Sequence, residues 1–292
     1  MPSAPQSVTV VGLGPMGQAM AAAYLDRGYD VTLWNRTPSR ADALVARGAT
    51  LAPTVEQALG ANELVILSLT DFDAMYTILE PAKDAIAGRT LVNLSSDTPE
   101  KARAGARWVT ELGGVHLTGG VLCPPPLIGT PDTSTFYSGP REAYDKHRDA
   151  LEVITGKSDH RGEDQGLAAL MYQLNMAIFW PSMIAYWQAV AVADAHGISA
   201  SEIAPYVVEN FAGMGHFVDF YASRIDAGNH AGDVDRTAMG LASMEHVVHT
   251  ASDAGVDAAF PEAVRDVFRR VVDAGHGADS FSWAVELLRK KG

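Results

Sequence analysis

Three glycines, Gly12, Gly14 and Gly17, with Leu13, Pro15 and Met16 between them, follow the β-branched run Ser7–Val11 and precede a stretch of helical composition, Gln18–Leu25. Strand, glycine turn and helix in that order make a cradle for a pyrophosphate. Gly12 lets the chain turn sharply, Gly14 lets the backbone approach the phosphates, and Gly17 lets helix and strand pack closely. The helix start adds free N–H groups and the positive end of its dipole. A bare G-x-G-x-x-G is also read as a purely structural turn, so its surroundings matter. They include a second strand-like run, Asp30–Trp34, ending in Asn35-Arg36-Thr37, where an adenosine ribose would lie. A carboxylate there would accept a hydrogen bond from the 2'-hydroxyl of NAD. Asn35, the cations Arg36 and Arg40 and the hydroxyl of Thr37 suit a dianionic 2'-phosphate instead, which favours NADP. The competing reading makes Arg36 and Arg40 solvated charges at the start of a surface helix.

A second set of candidates sits on one helical face. Tyr172, Asn175, Met176, Phe179 and Met183 follow the spacing i, i+3, i+4, i+7, i+11. The phenol and the amide in this apolar stripe either satisfy each other or a backbone carbonyl, or they face a pocket. Pro181 is expected to kink this helix. Further strand-like runs at 63–68 and 90–94, separated by helical stretches at about 73–87 and 98–112, predict a mostly parallel sheet. Strand C-termini in such a sheet face the ligand crevice, which nominates Leu69 after one run and Ser95 and Ser96 after the next. Asp97 or Thr98 serves equally as a helix cap. A strand at 115–121 runs into Leu122-Cys-Pro-Pro-Pro126, where three prolines predict extended backbone. Cys123 has no histidine partner in view and is not read as a nucleophile.

No metal is expected, because His246 and His249 lack a third ligand at recognisable spacing. His216, His230 and His276 lie near glycines and are expected in loops or at helix ends, without a catalytic role. The segment Gln165–Ala193 carries no charge and is long enough to span a bilayer. Five polar side chains, Pro181 and the flanking acids Asp164 and Asp194 argue against that, and predict a helix buried on all sides, shared between domains or subunits.

The chain of 292 residues exceeds one ordinary core, and strand signals end near Gly162. The expected division is a cofactor domain at 1–162 and a helical substrate and dimerisation domain at 163–292. Hydrophobic residues make up 47% and charged residues 20%, enough apolar surface for real cores. A net charge of -13 disfavours nucleic acid and anionic membrane as partners. A single cysteine fits a reducing cytoplasm, and residues 1–6 lack the pattern of an export signal.

Together, Gly12–Gly17, Asn35–Thr37, Asn93–Pro99, Pro124–Thr130 and the C-terminal Ala274–Phe281 resemble the imine reductases, NADPH-dependent relatives of the β-hydroxyacid dehydrogenases in the 6-phosphogluconate dehydrogenase superfamily. The resemblance runs nearly end to end. It implies an α/β N-terminal Rossmann domain, an all-α C-terminal domain, a long central helix joining them, and an intertwined homodimer. It also implies NADPH-dependent reduction of small, cyclic imines or iminium ions to amines by hydride transfer. The dehydrogenases carry a catalytic lysine six residues after a glycine and an asparagine three further on; here Gly166 is followed by Tyr172 and Asn175. Their serine-glycine-glycine carboxylate seat is replaced by Leu122-Cys123-Pro124. A 3-hydroxyacid thereby loses both base and anchor. The resemblance places Tyr172 with the tyrosine-type members, which tend toward S-amines, and makes Tyr172, Asn175 and Ser96 the catalytic candidates. Leu122, Met176, Phe179 and Trp180 become candidate pocket walls. A phenol is a weak acid near neutrality, so orientation is expected of Tyr172 first and proton relay second. The alternatives are a β-hydroxyacid dehydrogenase or carbonyl reductase on the same fold, and an NADP-binding sensor or scaffold without catalysis.

Overall fold

The computed structural model describes residues 6–289; most of the N-terminal stretch read above for an export signal lies outside them. The chain divides into two compact units, Met1–Ala177 and Ile178–Gly292.

The first unit is an eight-stranded sheet in the order β3-β2-β1-β4-β5-β6-β7-β8. Its strands are β1 (Ser7–Val11), β2 (Asp30–Trp34), β3 (Thr50–Leu51), β4 (Leu64–Leu67), β5 (Thr90–Asn93), β6 (Val115–Val121), β7 (Ser134–Ser138) and β8 (Lys157–His160). All neighbours are parallel except β6 and β7. The crossover helices are α1 (Pro15–Asp26), the short α2 (Asp42–Val45), α3 (Val55–Ala61), α4 (Phe72–Leu79), α5 (Pro99–Glu111) and α6 (Arg141–Ile154). Central strands of a sheet covered on both faces must be apolar throughout, and every residue of β4 is buried. The period of two then sorts them: Val8, Val10 and Ile66 pack with Tyr24 and Met20 of α1, whereas Val11, Val65 and Leu67 pack with Phe72 and Met75 of α4.

Two local expectations are corrected. The helix anticipated over 73–87 stops at Leu79 and continues as a 3-10 segment, Glu80–Ala85, because Pro81 carries no N–H for the α-helical ladder. The triple proline is extended only at Pro124. Pro125–Leu127 form a 3-10 turn, since the fixed φ of proline suits that conformation as well.

Helix α7 (Gly166–Ala195) begins in the first unit and runs on past the boundary without interruption at Pro181. The second unit continues with α8 (Ala200–Asp226), α9 (Thr237–Asp253), α10 (Ala259–Val271) and α11 (Ala284–Leu288). A capping box formed by Ser199 and Glu202 starts α8. The pair α9 and α10 encloses buried Val248, Ala251 and Val271, with Phe268 edge-on to Phe281 at 5.8 Å. His216 lies inside α8, not in a loop or at a helix end, since Gly213 and Gly215 are absorbed into that helix.

The expected all-round burial of the uncharged helix is not met within one chain. Gly166, Ala168 and Ala169 of α7 are buried, but Ile178 is 70% exposed, and Phe179, Trp180 and Trp187 are exposed too. The helix α8 has no buried residue, and Tyr206 on it is 74% exposed. By length and composition, α7 is apolar enough to cross a membrane.

Candidate active site

At the C-terminal ends of β1, β2 and β4 a cleft of about 390 Å³ is lined by Gly12, Leu13, Gly14, Pro15 and Met16 on one side and Asn35, Arg36, Thr37 and Arg40 on the other. Trp34, Ser68, Leu69, Thr70, Ala74 and Ile78 complete it. Gly12 has a φ of +95°, a conformation side chains rarely adopt. A β-carbon on Gly17 would stand 1.9 Å from the Gly12 carbonyl oxygen, so Gly17 permits the close packing of α1 on the turn and does not itself line the cleft. A β-carbon on Gly14 would meet no protein atom within 4 Å. Gly14 is also the N-cap of α1 and offers no capping side chain. The helix start is thus left open to an anion, the arrangement a dinucleotide pyrophosphate fits.

The side chain of Asn35 is used structurally. Its Oδ1 accepts a hydrogen bond from Leu13 N at 2.9 Å and its Nδ2 donates to Thr37 O at 2.9 Å. It therefore ties the glycine turn to the β2 end and presents Arg36, Thr37 and Arg40 to the cleft. Neither guanidinium has an acidic partner among the ion pairs of the described residues, so both are available to a phosphate. The expected consequence is that Arg36→Ala weakens NADPH binding by about 1–3 kcal/mol, the scale of a charge-assisted hydrogen bond, while NADH binding hardly changes. Titration of each cofactor checks this; equal loss for both would contradict a 2'-phosphate role.

A smaller cavity of about 180 Å³ in the same unit is lined by Met16, Met20, Ser68, Leu69, Leu94, Ser96, Val121, Cys123 and Tyr172. It shares Met16, Ser68 and Leu69 with the cleft. Tyr172 reaches it because β6 has a glycine opposite: a β-carbon on Gly120 would lie 2.8 Å from that of Tyr172. Ser96 comes from the loop after β5. Its neighbour Ser95 is buried, and the Ser95 hydroxyl accepts from Leu69 N at 3.1 Å, so Ser95 shapes the cleft by holding Leu69. Thr98 is the N-cap of α5. Asn175 donates to the Met171 carbonyl one turn back at 2.8 Å. Leu122 is half-buried at the end of β6, with its N–H donated to Ser134 O. Met176 is half-buried on α7, and Phe179 and Trp180 belong to the second unit, where their exposed rings pack edge-on at 5.2 Å. None of these four lines the cavity. Cys123 does; burial pushes its thiol pKa up, away from the reactive thiolate.

The start of α7 is fastened from several sides. Ser138 Oγ donates to Gln165 O at 3.0 Å and accepts from Ala168 N at 3.1 Å. Gln165 Nε2 donates to His116 O at 2.6 Å, while its Oε1 accepts from Thr118 Oγ1 and His116 Nδ1, each at 3.1 Å. Arg103 grips Asp164 through two bonds of 2.7 and 2.8 Å. His116 is 1% exposed, its Nε2 has no partner, and burial pulls its pKa down to about 4. The unfolded chain takes up this proton near the ordinary value of about 6.5, the folded chain only near 4. Its contribution to stability is therefore whole above the unfolded value and is lost as pH falls through that window, by up to about 3 kcal/mol. Urea unfolding at neutral pH and near pH 4.5 should show a shallower decline for His116→Gln than for the wild type; identical declines would contradict it.

Two family models divide the chain: the NAD binding domain of 6-phosphogluconate dehydrogenase matches residues 7–162, and the NADPH-dependent reductive aminase-like C-terminal domain matches 164–290. An NADPH-dependent reductive aminase of Aspergillus oryzae is 29% identical over 97% of each chain. Among solved structures, an imine reductase of Bacillus cereus is 55% identical, with a TM-score of 0.87 over 98% of this chain and 100% of its own. An imine reductase of Streptomyces aurantiacus is 77% identical, with a TM-score of 0.95 over the same shares. The chain belongs to the imine reductase family.

As an imine reductase it is an NADP(H)-dependent oxidoreductase of the C=N class, built from the Rossmann and helical halves read in the sequence. Sequence reasoning missed Cys123 as a lining residue of this imine reductase, along with Ser68, Thr70, Ala74 and Ile78 of the cofactor cleft. The rule that ligands bind at strand C-termini could have found the residues after β4.

Proposed function

We propose that this chain reduces cyclic imines and iminium ions to amines, with Tyr172 as the group that meets the substrate nitrogen and Ser96 beside it. The observation that supports this most is the placement of Tyr172 in a cavity continuous in its lining with the cofactor cleft, where no lysine lines the wall. NADPH, when bound, supplies the hydride. The open N-terminus of α1 holds the pyrophosphate, and Arg36, Thr37 and Arg40 hold the 2'-phosphate. An iminium carbon is already electrophilic, so the protein needs no strong acid. The main contribution is to fix the nitrogen against a phenol and keep the carbon within reach of the nicotinamide. Asn175 supports the helix turn that carries Tyr172, and Met16, Met20 and Leu94 exclude water from the inner wall. The test is NADPH consumption with 2-methyl-1-pyrroline against NADP-dependent oxidation of 3-hydroxyisobutyrate. Turnover of the imine is expected; turnover of the hydroxyacid alone would overturn the reading, and tight NADPH binding with neither would favour a sensor.

The uncovered apolar faces of α7 and α8 support a homodimer in which each copy covers the other's helices and completes the substrate pocket, with Phe179, Trp180, Met176 and Leu122 as wall candidates. Light scattering should report twice the chain mass. A monomer at micromolar concentration would contradict it. The proposed location is the cytoplasm, as the single half-buried thiol suits.

A further inference from the structure

We propose that Gln173 is a positioning residue for the reaction, holding the helix that carries Tyr172 in register with the loop that carries Ser96; this rests on the role of Tyr172 given above. Gln173 Nε2 donates to the backbone oxygen of Asp97 at 3.1 Å, across 76 residues of sequence. Asp97 is itself fixed: its carboxylate accepts from Phe72 N at 3.3 Å and from Thr98 N at 2.7 Å. In the same loop, Ser95 accepts from Leu69 N and Asn93 Oδ1 accepts from Ser95 N at 2.9 Å. The loops after β4 and β5 are thereby knitted into one body, and Gln173 fastens α7 to it.

The position of the bond matters because it is one residue from Tyr172. The fastenings at Asp164, Gln165 and Ala168 hold the first turn of α7, and Gly120 allows the helix to sit close to β6. None of these bonds links α7 to the Ser96 loop. With Cα atoms on a radius of about 2.3 Å and a phenol reaching well beyond it, a helix rotation of about 10° moves the hydroxyl by about 1.5 Å. A misplacement of about 1 Å is enough to cost as much as a hundredfold in rate. The amide of Gln173 removes that freedom between the helix that carries Tyr172 and the loop that carries Ser96, both of which line the cavity.

The experiment compares Gln173→Leu, which removes the donor, with Gln173→Lys, which keeps a donor of similar reach. Gln173→Leu is expected to lower kcat for 2-methyl-1-pyrroline about tenfold or more, with NADPH affinity and melting temperature close to wild type. Gln173→Lys should retain most of the turnover. In a Tyr172→Phe background the same Leu substitution should change kcat less than twofold, because the group being positioned is gone. Equal losses in both backgrounds, or a loss in both Gln173 variants alike, would overturn the proposal. Hydrogen exchange of the amides at 94–98 reads the clasp without catalysis and should quicken in Gln173→Leu; unchanged exchange would overturn it too. A wild-type protein that turns over no imine would instead refute the functional reading, and the exchange measurement would still decide the clasp.

Discussion

Tyr172→Phe is expected to lower kcat for a cyclic imine by about a hundredfold, at the lower end of what a positioned proton-transfer or hydrogen-bonding side chain contributes. Affinity for NADPH should stay near wild type, because the cleft that receives the nucleotide is lined by the glycine turn and the arginines, and Tyr172 lies in the adjoining cavity. The ring itself stays. Phenylalanine fills the same volume against Gly120, so packing on β6 is preserved and melting should shift little. Steady-state kinetics with a fluorescence titration of NADPH separates the effects. A fall in kcat with unaltered cofactor affinity assigns the hydroxyl to the chemical step. Full activity in the phenylalanine variant would remove Tyr172 from the mechanism.

The glycine turn yields the second large effect, and it differs position by position. Gly17→Ala places a β-carbon 1.9 Å from a backbone oxygen that no rotamer change relieves. Gly12→Ala adds a contact of 2.3 Å with Ser68 O to a backbone at φ +95°. Each is expected to cost at least about 3 kcal/mol of stability, the upper range for overpacking, and with it cofactor binding. Gly14→Ala meets no protein atom and has an ordinary φ of −66°, so the fold should hold while NADPH affinity falls at least about tenfold through contact with the phosphates. Thermal melting beside NADPH titration distinguishes the three. Loss of melting temperature in Gly14→Ala as large as in Gly17→Ala would show that the turn is structural and does not serve as a phosphate cradle.

The elements legible in the sequence are those specified by local chemistry. The strands β1 and β2 fall where alternating or β-branched runs end in glycine or polar turns, β6 falls where a strand-like run meets three prolines, and α5 starts at Thr98 ahead of a proline. The strands that escaped are β3, with two residues, β7, which reads Ser-Thr-Phe-Tyr-Ser, and β8, which reads Lys-Ser-Asp-His. Their strand state comes from pairing with neighbours, a tertiary effect that overrides weak propensity. Val121 and Cys123 line the cavity and Leu122 does not, the alternation expected of extended backbone. The lock between His116 and Gln165 spans 49 residues and leaves no periodic trace. Phe179 was legible in an apolar stripe and Trp180 as a candidate pocket wall, but a single chain leaves both exposed, because a stripe records that something covers it and not what.

The most direct test is a crystal structure of the protein with NADPH and a cyclic amine product. The account predicts the Tyr172 hydroxyl within hydrogen-bonding distance of the amine nitrogen, with the 2'-phosphate on Arg36. An amine bound elsewhere, with the phenol turned into packing and distant from the nicotinamide, would contradict it.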